Sequence, residues 1–191
     1  MSKLSIVAEP SPILRLISTE VPIQKIGSKK IQDLIRDMSE TLRGIEVGIG
    51  LAAPQVGENL RIFLASEEAL VINRDEKKVD VEKYKESKAS RNWKHFVFIN
   101  PKLLKKSKNK KRLVEGCLSV NDPSGEIIYG KVDRFEKVSV EAYNEHGKKF
   151  KVGAKGLFAQ VLQHEMDHLD GILFIDKAKE IRKIPREEVN L

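Results

Sequence analysis

The sequence predicts a single α+β domain in which mostly antiparallel strands surround a buried helix. Strand-like segments cluster between about residues 61 and 152, one amphipathic helix precedes them, and a mostly apolar helix follows them. The two element types do not alternate regularly, which disfavours the parallel sheet of an α/β protein. A chain of 191 residues is long enough for one well-buried core. We therefore expect one domain over residues 1–191.

The first helix is predicted at Ser28–Arg43, with Ser28 as the N-cap and Gly44 as the stop. Its apolar residues recur at helical spacing and should form one buried stripe. This stripe comprises Ile31, Leu34, Ile35, Met38 and Leu42.

The middle of the chain is predicted to form strands. β-Branched, aromatic and alternating apolar residues mark three segments and one hairpin. The predicted elements are Arg61–Ala65, Phe96–Ile99 ending at Asn100-Pro101, Arg112–Glu115, and a hairpin of 138–142 and 149–152 around a turn at 144–147.

Three segments are predicted to be irregular. Residues 74–94 are dense in both charge signs and should form a solvated surface excursion. Asn121–Val132 should be a long loop, because it contains an Asn-Asp-Pro-Ser-Gly turn sequence. We expect residues 177–191 to form a short tail, with a terminal helix at most and a frayed end.

Composition favours a cytoplasmic protein. Hydrophobic residues make up 40% and charged residues 33% of the chain, and no apolar run approaches the ~20 residues of a membrane span. The first ten residues lack the apolar core of a signal peptide. Cys117 is the single cysteine, so an intrachain disulfide is excluded.

The net charge of +7 is concentrated in one run. Residues 102–112 carry seven basic residues and no acid, and the other 28 basic residues equal the 28 acids in number. We interpret the run as a solvated hairpin tip, with weak attraction to ribosomal RNA as the alternative. Its members are Lys102, Lys105, Lys106, Lys108, Lys110, Lys111 and Arg112.

Two histidines four residues apart, His164 and His168, lie in the predicted second helix. A four-residue step turns an α-helix by about 40°, so both imidazoles leave one face and can bind one metal ion. Glu165 points about 100° away from His164, which suits a base better than a ligand. A lone match to this pattern also arises by chance, so a third ligand is required to support it.

Cys117 is a candidate for that third ligand, although most single cysteines are small buried hydrophobes. Together with the two histidines it would leave one coordination position open, as in catalytic metal sites. Gln55 stands in a small-residue loop, Gly48–Gly57, either as a structural amide or as a polar group of the site.

Three motifs in this order resemble the signatures of the peptide deformylase family: Gly48–Gln55, Glu115–Ser119 and Gln163–His168. The resemblance covers most of the chain, from Pro10 to Asp176. It implies a catalytic domain that removes the N-formyl group from the initiator methionine of nascent polypeptides and releases formate.

Residue roles follow from the same resemblance. It implies Cys117, His164 and His168 as metal ligands and Glu165 as the general acid/base. The Gln55 side chain and the Leu118 backbone amide would face the developing oxyanion.

The resemblance also implies a substrate pocket, a metal and partners. The metal would be Fe²⁺, with Zn²⁺, Ni²⁺ or Co²⁺ as alternatives, and the substrates would be nascent formyl-Met peptides. A weak ribosome contact through Lys102–Arg112 is suggested by the charge of that run and not by the resemblance. The sequence departs from the family at Asn121, usually proline, and at Ser124, often arginine, while Gln160 stands where an apolar pocket residue can occur. The pocket residues would be Ile49, Gly50, Leu113, Glu115 and Leu157. For the apolar Ile49, Leu113 and Leu157 the alternative role is ordinary core.

Two other functions remain open at this point. A zinc endopeptidase could use Glu187 or Glu188 as its third ligand, although this leaves the Cys117 motif unexplained. A basic RNA- or ribosome-binding module with a structural metal would account for residues 102–112 but not for Glu165.

Overall fold

Two antiparallel sheets enclose a central helix in the computed structural model, which describes residues 3–45, 48–71, 93–121 and 127–184. Single 3₁₀ turns occur at Pro12–Arg15, Ile23–Lys25 and Ala53–Val56. The helices are α1 (Lys29–Arg43), α2 (Glu68–Val71), α3 (Gly156–Leu169) and α4 (Phe174–Lys177). The strands are β1 (Gly50–Ala52), β2 (Ile62–Ser66), β3 (His95–Lys106), β4 (Lys110–Asn121), β5 (Ile127–Phe135), β6 (Lys137–Tyr143), β7 (Lys149–Lys155) and β8 (Lys179–Ile184).

The larger sheet has five strands in the order β1-β2-β3-β6-β7, and the smaller has three in the order β4-β5-β8. All pairings between these strands are antiparallel. The α+β prediction is therefore confirmed.

Each face of the five-stranded sheet is covered by a different helix. Alternate residues of β2 point to opposite faces, so Phe63 contributes to one core and Leu64 to another. The Phe63 core includes α3, and the Leu64 core includes the buried stripe of α1. As a result α3 lies against the inner face, and no helix of the described residues covers the outer face of β6 and β7.

The smaller sheet closes over the other side of α3. Val120, Val132, Leu173 and Phe174 form a third cluster of buried residues, which joins β4 and β5 to α4. This arrangement places β4 opposite the carboxyl-terminal half of α3.

The predicted first helix and the β6–β7 hairpin are confirmed. The α1 stripe is buried or half-buried as expected, although the Ser28 side chain makes no capping hydrogen bond. Gly171 has a positive φ of 71° just after α3, a conformation common directly after the end of a helix. Among the described residues, no helix is long and apolar enough to cross a membrane.

The prediction that a strand ends at Asn100-Pro101 was wrong, since β3 continues to Lys106. Asn100 has φ 50° at a register shift, and its amide side chain bonds both the N–H and the C=O of Val21. The bulge therefore absorbs the proline without ending the strand.

The hairpin-tip interpretation of the basic run was also wrong. β3 pairs with β6 and β4 pairs with β5, so residues 107–109 connect two sheets instead of closing a hairpin. The basic residues are consequently divided between two surfaces.

Two of the segments predicted to be irregular contain strands. Lys179–Ile184 is strand β8, not a terminal helix, because it satisfies the backbone groups along the free edge of β5. Residues 127–132 of the predicted loop belong to β5. The predicted excursion, apart from Trp93 and Lys94, and the end of the tail after Ile184 lie outside the described residues.

We expect Gly171→Ala to destabilise the protein by at least about 2 kcal/mol. Alanine is strained at a positive φ, and its Cβ would lie 2.6 Å from the Arg15 carbonyl oxygen. Gly147→Ala is the matched control, because Gly147 has φ 72° but open space around the added carbon. That control should lose only about 1 kcal/mol in urea unfolding. Equal losses would show that the contact with Arg15 has no energetic consequence.

Candidate metal centre

Cys117, His164 and His168 come together between β4 and α3. Their ligand atoms all lie within 4.8 Å of one another, and Cys117 Sγ is 3.2 Å from His168 Nε2. The four-residue helical step places both imidazoles on the face of α3 that is turned toward β4. The spatial prediction from the sequence, one thiolate beside two imidazoles, matches the structure.

This donor set fits a divalent transition metal. Bonds from zinc to sulfur and nitrogen are about 2.0–2.3 Å long, so donors gathered this closely need only small movements to share one ion. A thiolate with two imidazoles suits zinc and iron better than magnesium or calcium.

Glu115 supports the histidine ligand His164 from behind. Its Oε2 lies 3.0 Å from His164 Nδ1, which leaves Nε2 as the nitrogen for a metal. Arg134 donates to both carboxylate oxygens of Glu115, at 2.7 and 2.8 Å. Burial alone would raise the pKa of Glu115, but the hydrogen bonds from Arg134 and His164 outweigh it and lower the pKa to about 2. Glu115 therefore stays ionised.

The same arginine links the site to the protein surface. Arg134 Nη1 donates to Asp167 Oδ2 at 2.6 Å, and Lys177 Nζ donates to Asp167 Oδ1 at 2.6 Å. The side chains of Glu115 and Arg134 are only 3% and 4% exposed, so this network is desolvated at its centre.

Negatively charged groups around His164 stabilise its protonated form. Burial would lower the pKa of His164, but hydrogen bonds with Cys117 and Glu115 outweigh it and raise the pKa. Burial lowers the pKa of His168, which favours the neutral form that binds metals.

Glu165 is a buried carboxylate beside the three donors. It is 4% exposed, and its Oε2 has no hydrogen-bond partner among the described residues. Burial raises its pKa to about 7, partly opposed by the nearby His164. The backbone of Gly50 passes so close that an added Cβ would lie 2.3 Å from Glu165 Oε1.

Gln55 approaches the cysteine from the small-residue loop. Its Oε1 accepts a hydrogen bond from the Ala52 N–H at 2.8 Å, which directs the NH₂ group toward β4. Nε2 lies 3.3 Å from Ser119 Oγ and 3.6 Å from Cys117 Sγ. The amide is thus both fixed and adjacent to the metal donors.

The expected pocket residues comprise three apolar residues and two residues that adjoin Glu165 or His164. Leu157 is buried and Ile49 half-buried in the core around α3, and Leu113 is half-buried on β4. Gly50 adjoins Glu165, whereas Glu115 lies behind His164. Gln160, at a position where an apolar pocket residue can occur, donates to the Val114 carbonyl at 2.9 Å.

Arg134, Ser119 and Asp167 are site residues that the sequence did not single out. Ser119 and Asp167 lie inside the recognised motifs, so their positions were an available signal. Arg134 has no local signal, because only the pairing of β4 with β5 brings it to Glu115.

Comparisons with known proteins agree with this geometry. The family model described as polypeptide deformylase matches residues 3–184. Peptide deformylase 1 of Vibrio vulnificus is 39% identical over 181 residues, covering 92% of this chain and 86% of that protein. Peptide deformylase 1A, chloroplastic/mitochondrial, of Arabidopsis thaliana is also 39% identical, over 90% of this chain. The chain spans 60% of the length of that plant relative.

A solved structure of a peptide deformylase from Legionella pneumophila has the same fold. It superposes with a TM-score of 0.71 at 32% identity, covering 93% of this chain and 87% of that one. The family match over most of the chain and these relatives all indicate the same family. The chain belongs to the polypeptide deformylase family, the enzymes that remove the N-formyl group from the initiator methionine of nascent polypeptides.

Proposed function

We propose that this chain is a metal-dependent deformylase in which Cys117, His164 and His168 hold one divalent ion. The observation that carries the proposal is a buried carboxylate with a free oxygen, Glu165 Oε2, beside three gathered metal donors. In a zinc endopeptidase with a glutamate ligand near residue 187, the position of Cys117 Sγ beside the two histidines would have no explanation.

A divalent ion held here would act as a Lewis acid that activates water and polarises the formyl oxygen. Glu165 then has a defined proton-transfer role. Oε2 would accept the proton of the attacking water and later give a proton to the departing amine nitrogen. Its burial removes competing water, and the close backbone of Gly50 limits the positions that the carboxylate can adopt.

Gln55 and Leu118 would stabilise the oxyanion. The hydrogen bond from Ala52 N–H to Gln55 Oε1 already fixes the amide. Nε2 can therefore donate to an oxygen near Cys117 without a further loss of side-chain conformational entropy. A single donor of this kind typically lowers the barrier by ~3 kcal/mol. The Leu118 amide follows Cys117 directly on β4, which supports its assignment as the second donor.

The methionine side chain would lie among Ile49, Leu113 and Leu157, with Gly50 leaving room for the formyl group. Glu115 would act on the substrate only indirectly, by orienting His164.

We also propose a cytoplasmic location and a weak ribosome contact. A free thiol at Cys117, which must stay reduced to bind metal, supports a reducing compartment. Within Lys102–Arg112, Arg112 pairs with Asp133 at 2.9 Å, while Lys106 and Lys110 lie over the Phe135 ring. Lys102 pairs with Glu20 at 3.6 Å, so the contact would rest mainly on Lys105 and Lys108.

Glu165→Gln should abolish formate release from formyl-Met peptides, by at least about 10³-fold, while metal content and fold are retained. Glutamine is isosteric but cannot accept the proton. Cys117→Ser is the companion variant and should lose metal as well as activity. Substantial turnover by Glu165→Gln, or full metal in active Cys117→Ser, would contradict the proposal.

Glu115→Gln should weaken metal affinity by about 10–100-fold, because the uncharged amide orients His164 less firmly and leaves Arg134 buried with reduced compensation. Competition with a chromogenic chelator measures this directly, without an activity assay. Glu141→Gln, a surface change of the same type, should leave metal affinity unchanged. An unaltered metal affinity in Glu115→Gln would show that Glu115 does not support metal binding.

We propose Fe²⁺ as the native metal, because the donor set accommodates it. Protein purified without oxygen should contain iron and should lose activity on exposure to air, whereas the zinc-substituted protein should be slower but stable. Metal analysis and formate release on the same samples test this. Equal activity with zinc, unaffected by air, would identify zinc instead.

A further inference from the structure

The outer face of β6, β7 and the end of β3 carries an excess of lysines. Residues 137, 139, 141 and 143 of β6 face outward, because Val138, Val140 and Ala142 between them are buried. The strand register places the outward lysines of β3 and β7 on the same side. We call this surface the lysine face, and it comprises Lys102, Lys105, Lys137, Lys149, Lys151 and Lys155, all of them exposed.

Few acids neutralise this face. Glu141 is the one acid at the outward positions of β6 and β7, and it pairs with Lys149 at 3.0 Å and Lys151 at 3.5 Å. Glu20 pairs with Lys102 at 3.6 Å. Within the described ranges, the other three lysines, Lys105, Lys137 and Lys155, have no ion-pair partner.

Two of these lysines occupy positions at which their charges destabilise the folded protein. Lys137 and Lys155 are directly opposite each other on adjacent strands. Like charges at such positions, with Cβ atoms about 5 Å apart, repel and destabilise the sheet. A negatively charged partner bound at this position would neutralise the pair and remove the repulsion.

The centre of the face is flat and open. Ser139 pairs with Gly153, and an added Cβ at Gly153 would have no atom within 4 Å. The three lysines without an ion-pair partner surround Ser139 and Gly153. Lys105 lies on the side of Ser139 away from Gly153, because β3 pairs with β6 there. A phosphate backbone could therefore approach the sheet closely.

We propose that the lysine face binds the phosphate backbone of double-helical RNA. Lysines contact phosphates as point charges and do not read bases, so the binding would be independent of sequence. Single-stranded binders stack bases on aromatic rings, whereas the one outward aromatic ring of β6 and β7, Tyr143, lies under Lys149. Membrane-surface binding would require apolar side chains that enter the lipid, and these two strands present none outward.

The choice of RNA over other polyanions rests on the deformylase function, because nascent polypeptides emerge from an RNA-rich particle. The lysine face lies on the side of the five-stranded sheet opposite α3, the helix that carries His164 and His168. Bound RNA would therefore leave the metal centre accessible to a nascent chain.

Binding of a fluorescent 20-base-pair RNA duplex to the full-length, metal-loaded protein tests the proposal. Between 50 and 200 mM KCl, log affinity should fall linearly with log salt concentration. The variant Lys105→Gln/Lys137→Gln/Lys155→Gln should bind at least about tenfold more weakly at 100 mM KCl, with a slope reduced by about two to three.

Lys131→Gln/Lys179→Gln/Lys183→Gln is the matched control, with the same charge change on β5 and β8. It should bind the duplex like the wild type, and both variants should release formate normally, which separates this proposal from the deformylase assignment. Equal weakening in both variants would reduce the effect to net charge and overturn the proposal. Absence of duplex binding by the wild type at 50 mM KCl, equal affinity for single-stranded RNA, or a preference for phosphatidylserine vesicles would also overturn it.

Discussion

The metal centre depends on the buried ion pair between Glu115 and Arg134. A buried carboxylate or guanidinium is costly unless its partner and its remaining hydrogen-bonding sites are satisfied. Here Arg134 donates to both oxygens of Glu115, and its third donor reaches Asp167. The pair ties β4 to β5 and both strands to α3. The elements that supply the thiolate and the two imidazoles are thereby held together before any metal binds.

Helix α3 can carry several buried polar side chains because its surroundings provide a partner for most of them. Its first turns are apolar and buried against the five-stranded sheet. Gln163 then bonds the N–H and the C=O of Phe135, and His164 and Asp167 join the Glu115–Arg134 network. Glu165 Oε2 and His168 Nδ1 are buried and have no hydrogen-bond partner in the described part of the chain. Since such groups destabilise the folded protein, their presence is better explained by chemistry than by stability.

Local patterns predicted the parts of the fold and site that depend on local sequence. The four-residue spacing of His164 and His168 determines their shared face, and the apolar stripe of α1 determines its buried side, so both were predictable. The path of β3 was not, because a side chain 79 residues from Val21 in sequence stabilises the bulge at Asn100. Strand β8 was missed for a similar reason: its residues are charged, and only the free edge of β5 makes them a strand. Arg134 likewise becomes a site residue only through strand pairing.

The two faces of the five-stranded sheet differ in what folding requires of them. The inner face must be apolar, because α3 and the metal donors pack there, and the outer face beyond α1 must be polar, because nothing described covers it. Polarity alone would be met by mixed charges or by threonine and serine. The opposed lysines Lys137 and Lys155 exceed that requirement and cost stability. Folding therefore accounts for the inner face completely, whereas the proposed RNA partner would account for the excess of lysines on the outer face.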